Sequence, residues 1–401
     1  MGEIGWCDDL ANVSLTSKVI VASLVILALA AALIVLPTNL FNENKTSENG
    51  AWTMIENRDS LTESGAWMNA EFMLDGGVPW AGDEFAKELG INTIPIYLDH
   101  QWSTAESADN SWSWDSEFPV HTDEYSHCLV RLGVLHLLSW TPTAIPGWVD
   151  TDNLDGSFKE EYGEYVQEAV RQVKQRNLPV DAYLVELEAN YAGHEIAGNS
   201  WITNAWIINW IKWEVELIKS IDPNARIVIP LTPTEFRPEE SLDNTGDRGK
   251  ILVADFVRRM IQENVRFDAF GFNIASGIYD KVDNWPTLQE VLDTWSTIDK
   301  EIFVWAMGYP ANNDDNLTFH NPRAAGYSDE WQEEQYVNSL RLLLENPKVI
   351  GVSVDLYDFQ EPGSEAAYHW GLVDGDWANP ETLSKRPSFD AVKEYWQNNY
   401  R

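Results

Sequence analysis

The sequence predicts an α/β fold, a closed (β/α)8 TIM barrel, preceded by a single N-terminal transmembrane helix. Three observations carry this. From residue 67 to residue 401, eight short apolar runs alternate with eight helical segments. The apolar runs are near-continuous in Val, Ile, Leu and Phe, as strands buried on both faces are. Eight such units in about 335 residues match the length of a closed barrel, and the phosphate-binding turn of a doubly wound open sheet is missing.

In chain order, residues 1–18 form a polar tail with Glu3, Asp8, Asp9 and Lys18. Val19–Leu36 is an uncharged run of 18 residues closed by Pro37. It is long enough to span a bilayer, and longer than the ~7–15 residues of a secretory signal core. It is expected to be a retained anchor, with the short N-terminus cytoplasmic and everything after it outside the cell. Residues 37–66 are a linker whose Asn-, Glu-, Ser- and Thr-rich stretch lacks an apolar period. Asn44-Lys-Thr and Asn316-Leu-Thr match a glycosylation sequon.

The barrel, 67–401, then reads as follows. Trp67–Leu74 is a strand, Ala81–Leu89 a short helix stopped by Gly90, and Ile91–Leu98 a strand. Gln101–Pro119 is a Trp- and Ser-rich loop. Asp123–Leu132 is expected to be helical, stopped by Gly133, with Val134–Ser139 the third strand. Phe158–Arg176 is a long helix and Asp181–Glu188 the fourth strand. Helix and strand then alternate: Ile202–Ile221 and Arg226–Leu231, Lys250–Asn264 and Asp268–Ile274, Leu288–Ile298 and Glu301–Met307, Asp329–Glu345 and Val349–Leu356. Pro387–Trp396 is the last helix.

Formal net charge is −37, from 64 acidic and 27 basic residues. A nucleic-acid partner needs a basic footprint and is excluded on that ground. With 44% hydrophobic residues the chain is not a disordered acidic polymer. A solvated acidic coat on a folded domain fits, and a high-salt habitat would explain it. Cys7 and Cys128 stand alone, no His-Glu-x-x-His pair occurs, and neither a dinucleotide fingerprint nor a nucleophile elbow is present. No metal and no cofactor is expected.

In such barrels the site lies at the C-terminal strand ends. The fourth strand runs into Glu186, Glu188 and Asn190. Alternate residues of a strand point the same way, so the two glutamates are expected on one inward side. Other strand ends bring Asp99 and His100, then Trp140 and Trp148, then Glu235, Asn273, Trp305 and Tyr309, and last Asp355, Asp358 and Glu361. Carboxylates and amides beside aromatic rings suit a carbohydrate, whose hydroxyls and apolar ring faces need both. Glu188 is the candidate acid/base, with Glu186, Glu235 and Asp355 as further catalytic carboxylates. Trp140, Trp148, Asn190, Asn273, Trp305, Tyr309, Asp358 and Glu361 are candidate substrate contacts.

The segment Trp140-Thr-Pro-Thr-Ala-Ile-Pro-Gly-Trp-Val149 resembles the one that follows strand three in β-galactosidases of the clan A glycoside hydrolases. Phe267-Asp-Ala-Phe-Gly-Phe-Asn273 is similar to that clan's sixth strand. Trp370-Gly-Leu-Val-Asp374 and Lys385-Arg-Pro-Ser-Phe-Asp-Ala-Val392 resemble its ending. The resemblance implies a retaining glycosidase with an acid/base on strand four and a nucleophile on strand seven. Here strand seven reads Val304-Trp-Ala-Met-Gly-Tyr-Pro310, and Ala306 takes the nucleophile's position. On strand four, one register puts Glu188 at the acid/base position and a second puts Asn190 there. Asp181-Ala-Tyr-Leu-Val-Glu-Leu-Glu188 also resembles the catalytic strand of chitinase-like barrels, which use the substrate's acetamido group as nucleophile. Three functions stand open: a membrane-tethered glycosidase, an inactive barrel that still binds saccharide, and a structural surface module.

Overall fold

The computed structural model describes residues 67–71, 84–114, 118, 127–190, 202–236, 251–274, 287–311, 327–360, 367–375 and 380–400. The chain divides into two units, Met1–Gly50 and Ala51–Arg401, and all described residues belong to the second. The tail, the Val19–Leu36 span and the 37–66 linker lie outside them. Among the described residues no helix is long and apolar enough to cross a membrane.

Eight parallel strands close into a barrel. They are β1 (Trp67–Glu71), β2 (Thr93–Tyr97), β3 (His127–Leu132), β4 (Val180–Val185), β5 (Ile227–Leu231), β6 (Ala269–Ile274), β7 (Glu301–Met307) and β8 (Val349–Asp355). Each pairs with its sequence neighbours, and β1 closes on β8 with Trp67 opposite Gly351. The helices α1 (Glu84–Leu89), α2 (Ser157–Gln175), α3 (Asn204–Ile221), α4 (Val253–Gln262), α5 (Leu288–Trp295), α6 (Asp329–Glu345) and α7 (Pro387–Tyr400) complete the described α/β units.

Local chemistry sets the helix starts. The Thr203 and Ser328 side chains accept the backbone N–H of Trp206 and Trp331 at the first turns of α3 and α6, and Thr287 with Glu290 forms a capping box on α5. Two apolar layers result. A small inner cluster holds Leu129, Ala182, Leu184, Val228, Phe303 and Trp305. A much larger outer one lies between strands and helices, where Val130, Tyr183, Ile229 and Val304 meet Tyr162, Trp210 and Val257. Strands β3 to β8 therefore carry apolar residues on both sides.

That double burial explains one departure from expectation. The third strand is His127–Leu132, not Val134–Ser139, and Leu137–Trp140 is a short helical turn. Cys128, Val130 and Leu132 pack in the outer layer and Leu129 in the inner one, so the period of two is hidden by apolar residues on both sides. Gly133 is no helix stop. It leaves β3 at φ +146°, and a β-carbon there would stand 2.8 Å from the Glu186 Cα. The 101–119 stretch, expected to be loop, contains a helical turn at Trp102–Ala105 and a small antiparallel pair, Glu106–Ala108 with Ser111–Trp112.

Candidate active site

Strand β4 stops at Val185, and the next residues leave regular geometry. Glu186 and Glu188 both have positive φ, +56° and +54°, uncommon for residues with a β-carbon. The left-handed turns break the alternation that would have put both glutamates inside. Leu187 takes an inner position, and Glu186 swings into the outer layer. There it is fully buried and accepts hydrogen bonds from the Val134 and Leu135 N–H groups, both at or near 3 Å, and from the Trp210 indole N–H at 2.8 Å. Burial raises its pKa against those donors. The pairing of Glu186 with Glu188 on one inward side is thus corrected.

Glu188 is half-buried, and its Oε1 accepts the Asn273 side-chain amide at 3.3 Å. Asn273 ends β6 on the inward side, continuing the Ala269–Gly271 series. A bulge shifts the β6–β7 register, after which Asn273 lies opposite Ala306. Strands four, six and seven therefore contribute Glu188, Asn273 and Ala306 to one neighbourhood of the barrel mouth.

Asp355 ends β8. Val352 and Val354 pack outward, which leaves Asp355 on the inward side with Gly351 and Ser353. It reaches across the end of β7: a β-carbon at Gly308 would stand 2.1 Å from its Oδ2. Trp148, in the loop after β3, is 37% exposed. Trp305 sits in the inner cluster, its ring against Gly271 and its indole N–H directed at the Leu231 carbonyl.

The remaining candidates are engaged elsewhere. Asn190 is fully buried and brackets the ends of β4 and β5: Oδ1 accepts Thr232 N–H, and Nδ2 donates to the Thr232 and Ile251 carbonyls. Glu235 accepts Ala254 N–H at the start of α4 and the Trp295 indole N–H, and burial raises its pKa. Tyr309 is buried with its hydroxyl on Ser339 of α6. Asp358 is held by Arg386 through both oxygens, at 2.6 and 2.8 Å. The Trp140 side chain and Glu361 lie outside what is described.

One cluster was not anticipated in full. At the ends of β2 and β3, buried Asp99 meets Arg131 at 2.8 Å, with His100 and His136 Nε2 atoms at 3.7 and 3.6 Å. Burial alone would raise the Asp99 pKa, but Arg131 and the two histidines hold it below the usual range. Burial pushes His136 down to about 3. The signal in the sequence was an arginine inside an apolar strand. Asp99, His100 and His136 have metal-ligand spacing, as do Asp358, His369 and Asp374. In each of these two sets an arginine already answers the carboxylate charge, so a cation would have to displace a guanidinium, and neither is assigned as a metal centre.

Comparison with known proteins gives fold neighbours alone. No family model matches the chain, and no curated protein matches it. Among solved structures, a glycosylated endo-β-1,4-xylanase of glycoside hydrolase family 10 from Gloeophyllum trabeum superposes with TM-score 0.57 at 15% identity, covering 84% of this chain and 97% of that one. Native xylanase 10B from Thermotoga maritima gives 0.57 at 14% identity, over 86% and 98%. A thermostable mutant xylanase from Cellvibrio japonicus gives 0.57 at 14% identity, over 84% and 99%. The fold is the α/β barrel that these xylanases have.

Proposed function

We propose that this barrel binds a saccharide at the C-terminal mouth of its strands and has no nucleophile on strand seven. The observation that carries the reading is the Glu188–Asn273 hydrogen bond in register with Ala306. In the register that gives Glu188 the acid/base position, that carboxylate is met by the Asn273 amide of strand six, while the strand-seven position holds a methyl group. Retaining hydrolysis needs two carboxyl groups about 5–5.5 Å apart. Of the carboxylates named from the sequence, Glu186, Glu235 and Asp358 are turned to structural partners. Asp355, against the end of β7, is the described group that could serve beside Glu188. Trp148 supplies an exposed ring for stacking. The acidic barrel would be displayed outside the cell, tethered through Val19–Leu36, as the length of that uncharged run supports.

The test is calorimetry across a glycan panel at high salt, with turnover assays on wild type, Glu188→Gln and Ala306→Glu. Saccharide binding by wild type, weakened in Glu188→Gln, supports the reading. Turnover gained in Ala306→Glu identifies the native barrel as a binder whose acid outlasted its nucleophile. If wild type hydrolyses and Glu188→Gln does so equally, Glu188 is not the acid. No binding to any glycan by any variant would end the proposal.

A further inference from the structure

Behind the end of β4, Glu186 faces a second buried acid. Glu214 lies one turn beyond Trp210 on α3, and both carboxyls are fully buried. Their hydrogen bonds run to neutral groups. Glu186 accepts from Val134 and Leu135 N–H and from Trp210 Nε1, and Glu214 Oε1 accepts the Tyr162 hydroxyl of α2 at 2.7 Å. Glu214 Oε2 is buried without a hydrogen-bond partner, and the nearby Glu186 carboxyl raises the Glu214 pKa. Tyr162 is itself held neutral by burial and by the two acids. On the α2 side, Tyr165 packs near Tyr162, and Lys159 lies over the rings of Trp210 and Trp213 at 5.4 and 4.7 Å.

Two neighbouring carboxylates held away from water cannot both ionise. Glu186, with three N–H donors, keeps the charge, and Glu214 keeps the proton and donates it. We propose that Glu186 and Glu214 share this single proton, and that the pair is the latch that holds the left-handed turn at the β4 end and so positions Glu188. One residue ties together three segments: the Glu186 backbone N–H bonds the Leu132 carbonyl ending β3, its carboxylate caps the Val134 and Leu135 amides, and Trp210 binds it to α3. Its positive φ, like that of Glu188, is strained and persists only while surrounding contacts enforce it. Loss of the proton to solvent leaves two buried negative charges. Glu186 must then withdraw, and Leu187 and Glu188 move with it.

The direction of the pH effect follows. Burial, then the neighbouring Glu186, raises the Glu214 pKa well above 4.5. Between that ordinary value and the raised one, the folded chain holds a proton that the unfolded chain has lost, so stability falls as pH rises. Glu214→Gln keeps a neutral donor toward Glu186 and abolishes the titration. Glu186→Gln instead points its own N–H2 at three N–H donors.

The experiment is denaturation of the full chain from about pH 4.5 upward for wild type and both variants, together with the 15N side-chain amide resonance of Asn273, assigned by Asn273→Asp. The wild-type unfolding constant should climb up to ~10-fold more per pH unit than that of Glu214→Gln. The Asn273 signal should shift over the same range in wild type and stay put in Glu214→Gln, with Glu186→Gln destabilised at every pH. Equal pH slopes in wild type and Glu214→Gln, or an Asn273 resonance indifferent to the transition, would overturn the latch. So would Glu214→Gln being as unstable as Glu186→Gln. None of these readouts depends on a saccharide, so failure of glycan binding leaves the latch standing, and the reverse.

Discussion

Asn190→Asp tests whether Asn190 is a bracket or a ligand, since one alignment of strand four puts it at the acid position. The substitution is nearly isosteric. It keeps the oxygen that accepts Thr232 N–H and replaces a donor aimed at two carbonyls, Thr232 at 2.8 Å and Ile251 at 3.1 Å, with a second oxygen. Two net hydrogen bonds are worth about 1 kcal/mol each. An uncompensated buried charge adds roughly 3 kcal/mol, for a total near 5 kcal/mol. Unfolding entropy is about 2.1 cal/mol/K per residue. A unit the length of Ala51–Arg401 therefore loses ~1.4 °C of Tm per kcal/mol, and a drop of about 7 °C is expected near neutral pH. The introduced carboxyl, buried against two carbonyls, would have a raised pKa, so the loss is greatest at high pH and shrinks as acid restores a donor. Thermal melts at several pH values read this directly. An unchanged Tm accompanied by altered glycan binding would refute the bracket and return Asn190 to the site.

Three further outcomes are expected. Gly308→Ala should cost about 1–3 kcal/mol, because its methyl would stand 2.1 Å from Asp355 Oδ2 and 3.0 Å from Trp370 Cβ, and glycan affinity should fall as Asp355 is pushed aside; calorimetry beside a melting curve separates the two, and full affinity would remove Asp355 from the mouth. Arg386→Met strands the buried Asp358 carboxylate and should cost ~3–5 kcal/mol, part of it recovered in the Arg386→Met, Asp358→Asn double variant; denaturant titration that shows no recovery would contradict the pair. His136 is buried neutral with its pKa pushed down to about 3, so the unfolded chain binds a proton there that the folded chain refuses as pH falls below ~6.5. Stability should decline toward acid with up to ~1.4 kcal/mol per pH unit from this group, and His136→Phe should flatten that limb; an identical acid limb would show that His136 already titrates in the folded chain.

The barrel was legible because a parallel strand covered on both faces is an apolar run, and eight of them in order admit few topologies. The same property hid the third strand, since Leu129 and Val130 both seek burial and so conceal which side each faces. The site was less legible for a different reason. Alternation along Tyr183–Glu188 is a rule for extended backbone, and two left-handed residues suspended it. What holds them there, Gly133, Trp210 and Glu214, is distant in sequence and carries no local mark. Nor could spacing reveal that Asn190 and Glu235 face the ends of neighbouring elements, because that depends on where Ile251 and Trp295 arrive in space. Glu188 and Asn273 stood out in the sequence as polar residues at the close of apolar runs, Asn273 within β6 and Glu188 three residues past the end of β4.

Several tryptophans turn out to serve buried acids. Trp210 donates to Glu186, Trp295 to Glu235 and Trp102 to Glu106, each at 2.8–3.0 Å. An indole N–H is uncharged and does not titrate in water, so each tie is made without a second ion and is not subject to ionic screening. The surface pairs differ: Lys385–Glu88 and Arg266–Glu216 are partly or well exposed and should fade within a Debye length of a few ångströms in brine. Dissolved ions would therefore quiet the repulsion among the coat's carboxylates while leaving the indole ties at full strength, so that concentrated salt relieves the outside of this barrel without loosening its interior.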